Sequence, residues 1–135
     1  MKKAVLALIG ATLFSGAALA SSVSCYVDTR AYDEYRQGTC FGGESLTHTR
    51  QGAAVFKVNT SKPVQSVEWD ISRYNANCSG TTCIVRVGLG EHEVNACVDK
   101  IYYKDFTWAD VNWCATAHAN YWGQGGPLAN ELLGQ

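Results

Sequence analysis

Apolar side chains along this chain recur at every second position far more often than at every third or fourth. Val23, Cys25 and Val27 alternate with Ser22, Ser24 and Tyr26, and Ala54, Phe56 and Val58 alternate with Val55 and Lys57. The same period runs through Val67, Trp69 and Ile71, through Cys83, Val85 and Val87, and through Val94, Ala96 and Val98. The longest case sets Val111, Trp113, Ala115, Ala117 and Ala119 against Asn112, Cys114, Thr116, His118 and Asn120. Period two sends alternate side chains to opposite faces of a sheet, so each run predicts a half-buried strand. Turn-forming clusters separate them: Asn59 to Pro63, Asn75 to Asn77, Gly88 to Glu91, and Asp99-Lys100. Short strands punctuated this way predict an all-β, antiparallel sandwich. Helical signals are confined to residues 28–37, where Tyr32 and Tyr35 lie three apart.

The first twenty residues follow another pattern. Lys2 and Lys3 precede an apolar stretch from Ala4 to Phe14, and Ala18-Leu19-Ala20 closes it. A basic start, a short apolar run and an Ala-x-Ala ending predict a secretory signal peptide over residues 1–20. The apolar run is shorter than the roughly 20 residues a membrane-spanning helix needs. The expected product is therefore a secreted or periplasmic domain over residues 21–122 with no membrane insertion after cleavage. Gly123-Gln124-Gly125-Gly126-Pro127 opens a flexible tail expected over 123–135.

Export changes the meaning of the six cysteines, Cys25, Cys40, Cys78, Cys83, Cys97 and Cys114. In an oxidising compartment an even count predicts three disulfides. Zinc would need close Cys/His pairs, but His48, His92 and His118 stand singly, so no metal is expected. Six cysteines allow fifteen connectivities in principle. Gly80, between Cys78 and Cys83, can turn the chain back on itself. The remaining cysteines then group as neighbours, 25–40 and 97–114. Loops of about 15 residues are each worth on the order of 3 kcal/mol through lost chain entropy, a staple that matters in so small a domain.

The run Cys25-Tyr26-Val27-Asp28-Thr29-Arg30-Ala31-Tyr32-Asp33, followed by Gly38-Thr39-Cys40-Phe41-Gly42, resembles small exported bacterial proteins with an immunoglobulin-like fold. Val67-Glu68-Trp69 followed by Cys78-Ser79-Gly80-Thr81-Thr82-Cys83 belongs to the same resemblance, as does Cys97 in Val94-Asn95-Ala96-Cys97-Val98; together they cover roughly residues 22–98. It implies an immunoglobulin-like β-sandwich and an exported location, for proteins largely without assigned activity. A second likeness lies near the end, where Cys114 to Trp122-Gly123-Gln124-Gly125 looks like the last strand of an antibody variable domain. That likeness implies an alternative pairing, Cys40 with Cys114. Against it, the core Trp expected about fourteen residues after the first Cys is Ala54 here, and the tyrosine-corner position is Asn112.

Charge narrows the functional classes. The chain holds 11 Lys+Arg against 12 Asp+Glu, and nine bases remain after residue 20. Acids and bases are interspersed, so no nucleic-acid footprint is present. Neither a cofactor motif nor a catalytic one is found. Gly43-Glu44-Ser45-Leu46-Thr47 lacks the final Gly of a nucleophile elbow, and His92-Glu93 is followed by Ala96 where a zinc-protease helix needs His. Glu68 with Asp70, and Glu91 with Glu93, share strand faces and read as solvated surface rather than as acid–base pairs.

Aromatics give the better lead. Tyr102, Tyr103, Phe106, Trp108, Trp113, Tyr121 and Trp122 fall within 21 residues. Trp113 keeps the inward phase and reads as core, as Trp69 does. Tyr102, Tyr103, Trp108, Tyr121 and Trp122 are the candidate binding residues, because exposed rings with polar neighbours suit sugars and protein interfaces. The expectation is an exported, non-enzymatic module that binds a protein or glycan through aromatic loops. The alternatives are a small secreted inhibitor or effector using the Cys78–Cys83 loop as a rigid probe, and a small hydrolase using carboxylates with His.

Overall fold

The computed structural model describes residues 22–31, 33–47 and 50–123. The expected signal segment, almost all of the expected tail, Tyr32 and His48 lie outside the described residues. The described residues form nine strands: β1 (Ser22–Val27), β2 (Arg36–Gln37), β3 (Thr39–Leu46), β4 (Gly52–Asn59), β5 (Val64–Ile71), β6 (Ala76–Ser79), β7 (Thr82–Val87), β8 (Gly90–Tyr103) and β9 (Trp108–Gly123). They form two sheets, one ordered β2-β1-β4-β7-β6 and the other β3-β9-β8-β5. All pairings are antiparallel except β3 with β9, which run parallel.

The core lies between the sheets and is built from the alternating positions. One sheet contributes Val23, Cys25, Phe56, Val58, Cys83 and Val85, and the other Val94, Ala96, Val98, Ile101, Ala115, Ala117 and Ala119. Full burial of a ring such as Phe56 stabilises by about 1.5–3 kcal/mol. Three alanines in a row on the inner face of β9 leave room for these larger side chains. Trp69 and Trp113 point inward as their phase requires, but both are only half-buried and pack against the margin of the core. The reason is position: Trp69 lies on β5, an edge strand, where one flank stays open.

The chain changes sheets between β2 and β3. Gly38 takes φ +81°, a left-handed conformation that favours glycine. Its N–H donates to Val23 O at 3.1 Å, while its carbonyl accepts from Thr116 N at 2.9 Å. One residue thus bridges both layers. Nearby, the Cys25–Cys40 disulfide fastens β1 to β3 across the core.

The other disulfides are Cys78–Cys83 and Cys97–Cys114, so the pairing is sequential and Cys40 does not join Cys114. Each links directly opposed residues of an antiparallel pair, β6–β7 and β8–β9 respectively. Gly80, at φ +59°, makes the turn that brings Cys78 and Cys83 together.

Two local expectations are corrected. Residues 28–37 contain no helical turn among those described, and Arg36–Gln37 form a short strand instead. The segment is held by side chains: Asp33 accepts from Thr29 N at 3.2 Å, and Arg30 donates to Glu44 Oε1 from its backbone at 2.8 Å and its Nε at 3.0 Å. Arg50 faces Glu44 Oε2 at 2.8 Å as an ion pair without an aligned hydrogen bond. Burial acts to raise the Glu44 pKa, but the Arg30 hydrogen bonds and the two guanidinium charges outweigh it and hold the group below its ordinary value. Asp99-Lys100, expected as a turn, lies inside the continuous strand β8. Hydrogen-bonded neighbours on both sides keep the strand running, and the irregularity is absorbed as a bulge between Val98 and Lys100.

Candidate functional site

The bulge determines what β8 shows to solvent. Before it, Val94, Ala96 and Val98 point into the core; after it, Ile101 does. Even positions face inward up to Val98 and outward from Lys100 onward. Without this slip of one residue, Lys100 and Tyr102 would enter the core and Ile101 would face water. The bulge therefore places a lysine and a tyrosine on the outer face, where Lys100 pairs with Asp110 and Tyr102 with Trp108 in register on β9.

These four side chains interlock. The Lys100 ammonium lies 4.7 Å from the Trp108 ring centroid and 6.0 Å from that of Tyr102, and 3.6 Å from Asp110 Oδ1. A cation held over two rings orders them at little conformational cost to a ligand. Trp108 remains 57% exposed despite this contact.

Beyond them the chain reverses through residues 104–107. Tyr103 N donates to Thr107 O at 2.8 Å and Phe106 N to Tyr103 O at 3.1 Å, closing a tight turn. Asp105 accepts from Thr107 N at 3.0 Å and from the Thr107 hydroxyl. Lys62 reaches across from the β4–β5 loop to Asp105 Oδ2 and Thr107 Oγ1, both at 3.1 Å, with its ammonium 4.5 Å from the Tyr103 ring. The Thr107 hydroxyl and N–H, followed by Lys62, push the Asp105 pKa down to about 2.

At the apex stands Phe106, 98% exposed and at φ 68°. A bulky residue in the left-handed region is uncommon and costs backbone energy, so the turn around it must over-determine its place. Gln65, Ser66, Tyr102, Tyr103, Phe106 and Thr107 line an adjacent open depression of about 400 Å³. Phe106 completes the ring cluster, although the sequence reading did not include it among the binding residues. Its signal was its place between Asp105 and Thr107 in a hairpin turn.

Of the five residues expected to bind, Tyr102, Tyr103 and Trp108 come together at this hairpin. Trp122 does not. It sits at the far end of β9, roughly 45 Å from Trp108 at ~3.3 Å per residue, opposite Ser45. Tyr121 is withdrawn from solvent altogether at 1% exposure. Its odd position continues the inward phase of Ala115, Ala117 and Ala119, and its hydroxyl donates to Asp28 O while Ala53 N donates to it at 3.2 Å. Tyr121 is a core residue, and burial pushes its phenol pKa up.

Of the remaining polar candidates, Glu91, His92, Glu93 and His118 line one concavity at the other end of the sheet, whereas the others do not join them. Glu68 and Asp70 are exposed on the edge strand β5, and Ser45 accepts a hydrogen bond from Arg30 Nη2 at 3.3 Å. His92 is engaged by the Tyr74 hydroxyl at 3.2 Å and by the Gly88 and Leu89 carbonyls at 3.0 and 3.2 Å. No protein-family model, no curated protein sequence and no solved structure matches this chain.

Proposed function

We propose that the protein is an exported, non-enzymatic recognition module with an immunoglobulin-like fold, and that its β8–β9 hairpin seizes an apolar pocket on a protein partner. The strand order supports the fold reading: β1-β4-β7-β6 facing β9-β8-β5 has the order of the ABED and GFC sheets of immunoglobulin-like sandwiches. On that reading β8 and β9 are strands F and G, and the F–G loop is a recognised position for binding residues. Three disulfides favour an oxidising, extracytoplasmic compartment.

The single observation that carries the binding reading is Phe106, whose ring meets almost nothing of its own chain while a rigid turn holds it out. Aromatic anchors surrounded by ordered neighbours are the usual energetic centres of protein interfaces. Trp108 and Tyr102 supply that surround, with Lys100 and Asp110 as a polar rim. A flat sugar platform would use Trp108 and leave Phe106 idle.

The test is affinity capture from envelope and culture-fluid extracts with the parent protein, Phe106→Ala and Trp108→Ala, alongside a glycan array. The expected result is a protein retained by the parent and lost with Phe106→Ala, while both variants melt like the parent. Glycan binding that needs Trp108 but ignores Phe106 would replace the protein reading by a carbohydrate one. Partner capture abolished only by changes in the Cys78–Cys83 turn would favour an inhibitor or effector acting through that loop.

A further inference from the structure

On the same outer sheet face, roughly 33 Å along β9 from the hairpin at ~3.3 Å per residue, lies a second and larger concavity of about 530 Å³. It arises from the parallel pairing of β3 with β9. That register sets Phe41 beside His118 and Gly43 beside Asn120. On the other flank of β9, β8 sets Glu93 beside His118 and Glu91 beside Asn120. One rung across the sheet therefore reads Phe41, His118, Glu93. The next reads Gly43, Asn120, Glu91, and its glycine brings no side chain to the β3 margin.

The walls have a distinct chemistry. Phe41 and His118 stack with centroids 4.7 Å apart and planes inclined by only 11°, and the Phe41 ring is still 73% exposed. Glu91 and Glu93 form no ion pair among the described residues. No Lys or Arg among the described residues lines the concavity. An aromatic face attracts a cation through its quadrupole, and uncompensated carboxylates attract it by charge. Acid alone would bind any counter-ion weakly; acid beside a held aromatic ring selects a cation with an apolar stem. Among the described residues no group of three His, Cys, Asp or Glu is arranged to hold a metal.

We infer that this concavity is a binding site for the lysine or arginine side chain of a basic peptide segment, separate from the hairpin. The aliphatic stem lies along Phe41, the charged head meets Glu91 and Glu93, and the Asn120 carboxamide offers a further acceptor. Gly43 lets β3 lie close against Asn120 at this margin, since a Cβ there would stand 2.0 Å from the Asn120 carbonyl oxygen.

Fluorescence anisotropy with a labelled Gly/Ser peptide carrying four lysines tests this, using the same peptide with acetylated lysines as the neutral control. The parent protein should bind the basic peptide and not the acetylated one. Glu91→Gln with Glu93→Gln together should weaken binding roughly tenfold, the size expected for losing two exposed charge contacts. Phe41→Ala should weaken it roughly threefold or more, and Phe41→Tyr should retain it. Trp108→Ala should bind like the parent, which separates this site from the hairpin. Equal binding of the acetylated peptide, or full affinity in either the double Gln variant or Phe41→Ala, overturns the site. Loss of the basic peptide with Trp108→Ala would also overturn it, by moving the contact to the hairpin.

Discussion

The indole N–H of Trp69 donates to the carbonyl of Gly80 over 3.3 Å. Trp69 belongs to β5, at the edge of one sheet, and Gly80 to the β6–β7 turn at the edge of the other. The hydrogen bond therefore ties the two layers along the margin where the chain passes from β5 to β6.

Replacing Trp69 separates packing from this tie. Because the ring is half-buried, Trp69→Ala should destabilise by about 2–3 kcal/mol, below the usual range for a fully buried aromatic. Trp69→Phe keeps most of the ring contact and should cost about 1 kcal/mol, the worth of the hydrogen bond. Urea denaturation of both variants measures the difference. A Phe variant as damaged as the Ala variant would mean that the carbonyl of Gly80 matters more than the packing.

Gly52 and Tyr121 form a tight steric pair in the core. A Cβ at residue 52 would lie 2.1 Å from Tyr121 Cε2. Gly52→Ala should therefore destabilise by several kcal/mol, about 1–3 from overpacking and more if the ring loses its hydroxyl partners. Tyr121→Phe isolates the latter effect. It strands the Ala53 N–H and the Asp28 carbonyl and should cost about 1–3 kcal/mol. Thermal melts of the two variants report both losses.

Asp105 gives a pH prediction of definite sign. Its folded pKa of about 2 lies below the ordinary carboxylate value. A depressed carboxylate stabilises the fold above its unfolded pKa, and that contribution disappears as the pH falls through about 2. The hairpin turn should thus loosen only in strong acid. An NMR titration of the Asp105 carboxyl should show a midpoint near 2, and Thr107→Ala should move it upward. A parent midpoint near 4 would mean that the Thr107 and Lys62 contacts do not persist in solution.

The disulfides should be unequal. On loop-entropy grounds Cys25–Cys40 and Cys97–Cys114, separated by 15 and 17 residues, are each worth about 3 kcal/mol. Cys78–Cys83, separated by 5, is worth about 2 kcal/mol. Paired Cys→Ser variants, compared by denaturant midpoint, should follow that order. Cys25–Cys40 should exceed Cys97–Cys114, because its removal also leaves two hydroxyls in the buried core.

The strands were legible wherever alternation was unbroken, as in Val23-Cys25-Val27 and Cys83-Val85-Val87. Sequential cysteine pairing was legible because each pair closes a short, locally turned segment. The place of Tyr121 was written in the same code: one more step of the phase set by Ala115, Ala117 and Ala119 puts it inside. Its proximity to Trp122 and the other rings in sequence obscured that, since neighbours on a strand face opposite ways. Two features had no local signal. The bulge at Asp99 depends on hydrogen bonding to β5 and β9 together, and a run of polar residues reads equally well as a turn. The Phe41–His118 stack depends on two strands 77 residues apart lying parallel, and alternation carries no information about which strand a neighbour will be.

That parallel pairing also sets the order of assembly. Among the described residues β3 has no hydrogen-bonded neighbour except β9, the last of the described strands. Its ladder cannot close until every other strand has been made and delivered, and such long-range closure is slow because chain entropy is lost before contacts repay it. The Cys25–Cys40 bond can fasten β3 to β1 early, yet it leaves the β3 edge open. When β9 arrives, it fills that edge, seats Tyr121 beneath Gly52 and takes the Thr116 N–H to Gly38 in one movement. β9 is therefore the clasp of the described fold, and a ribosome that still holds it also holds that fold unfinished.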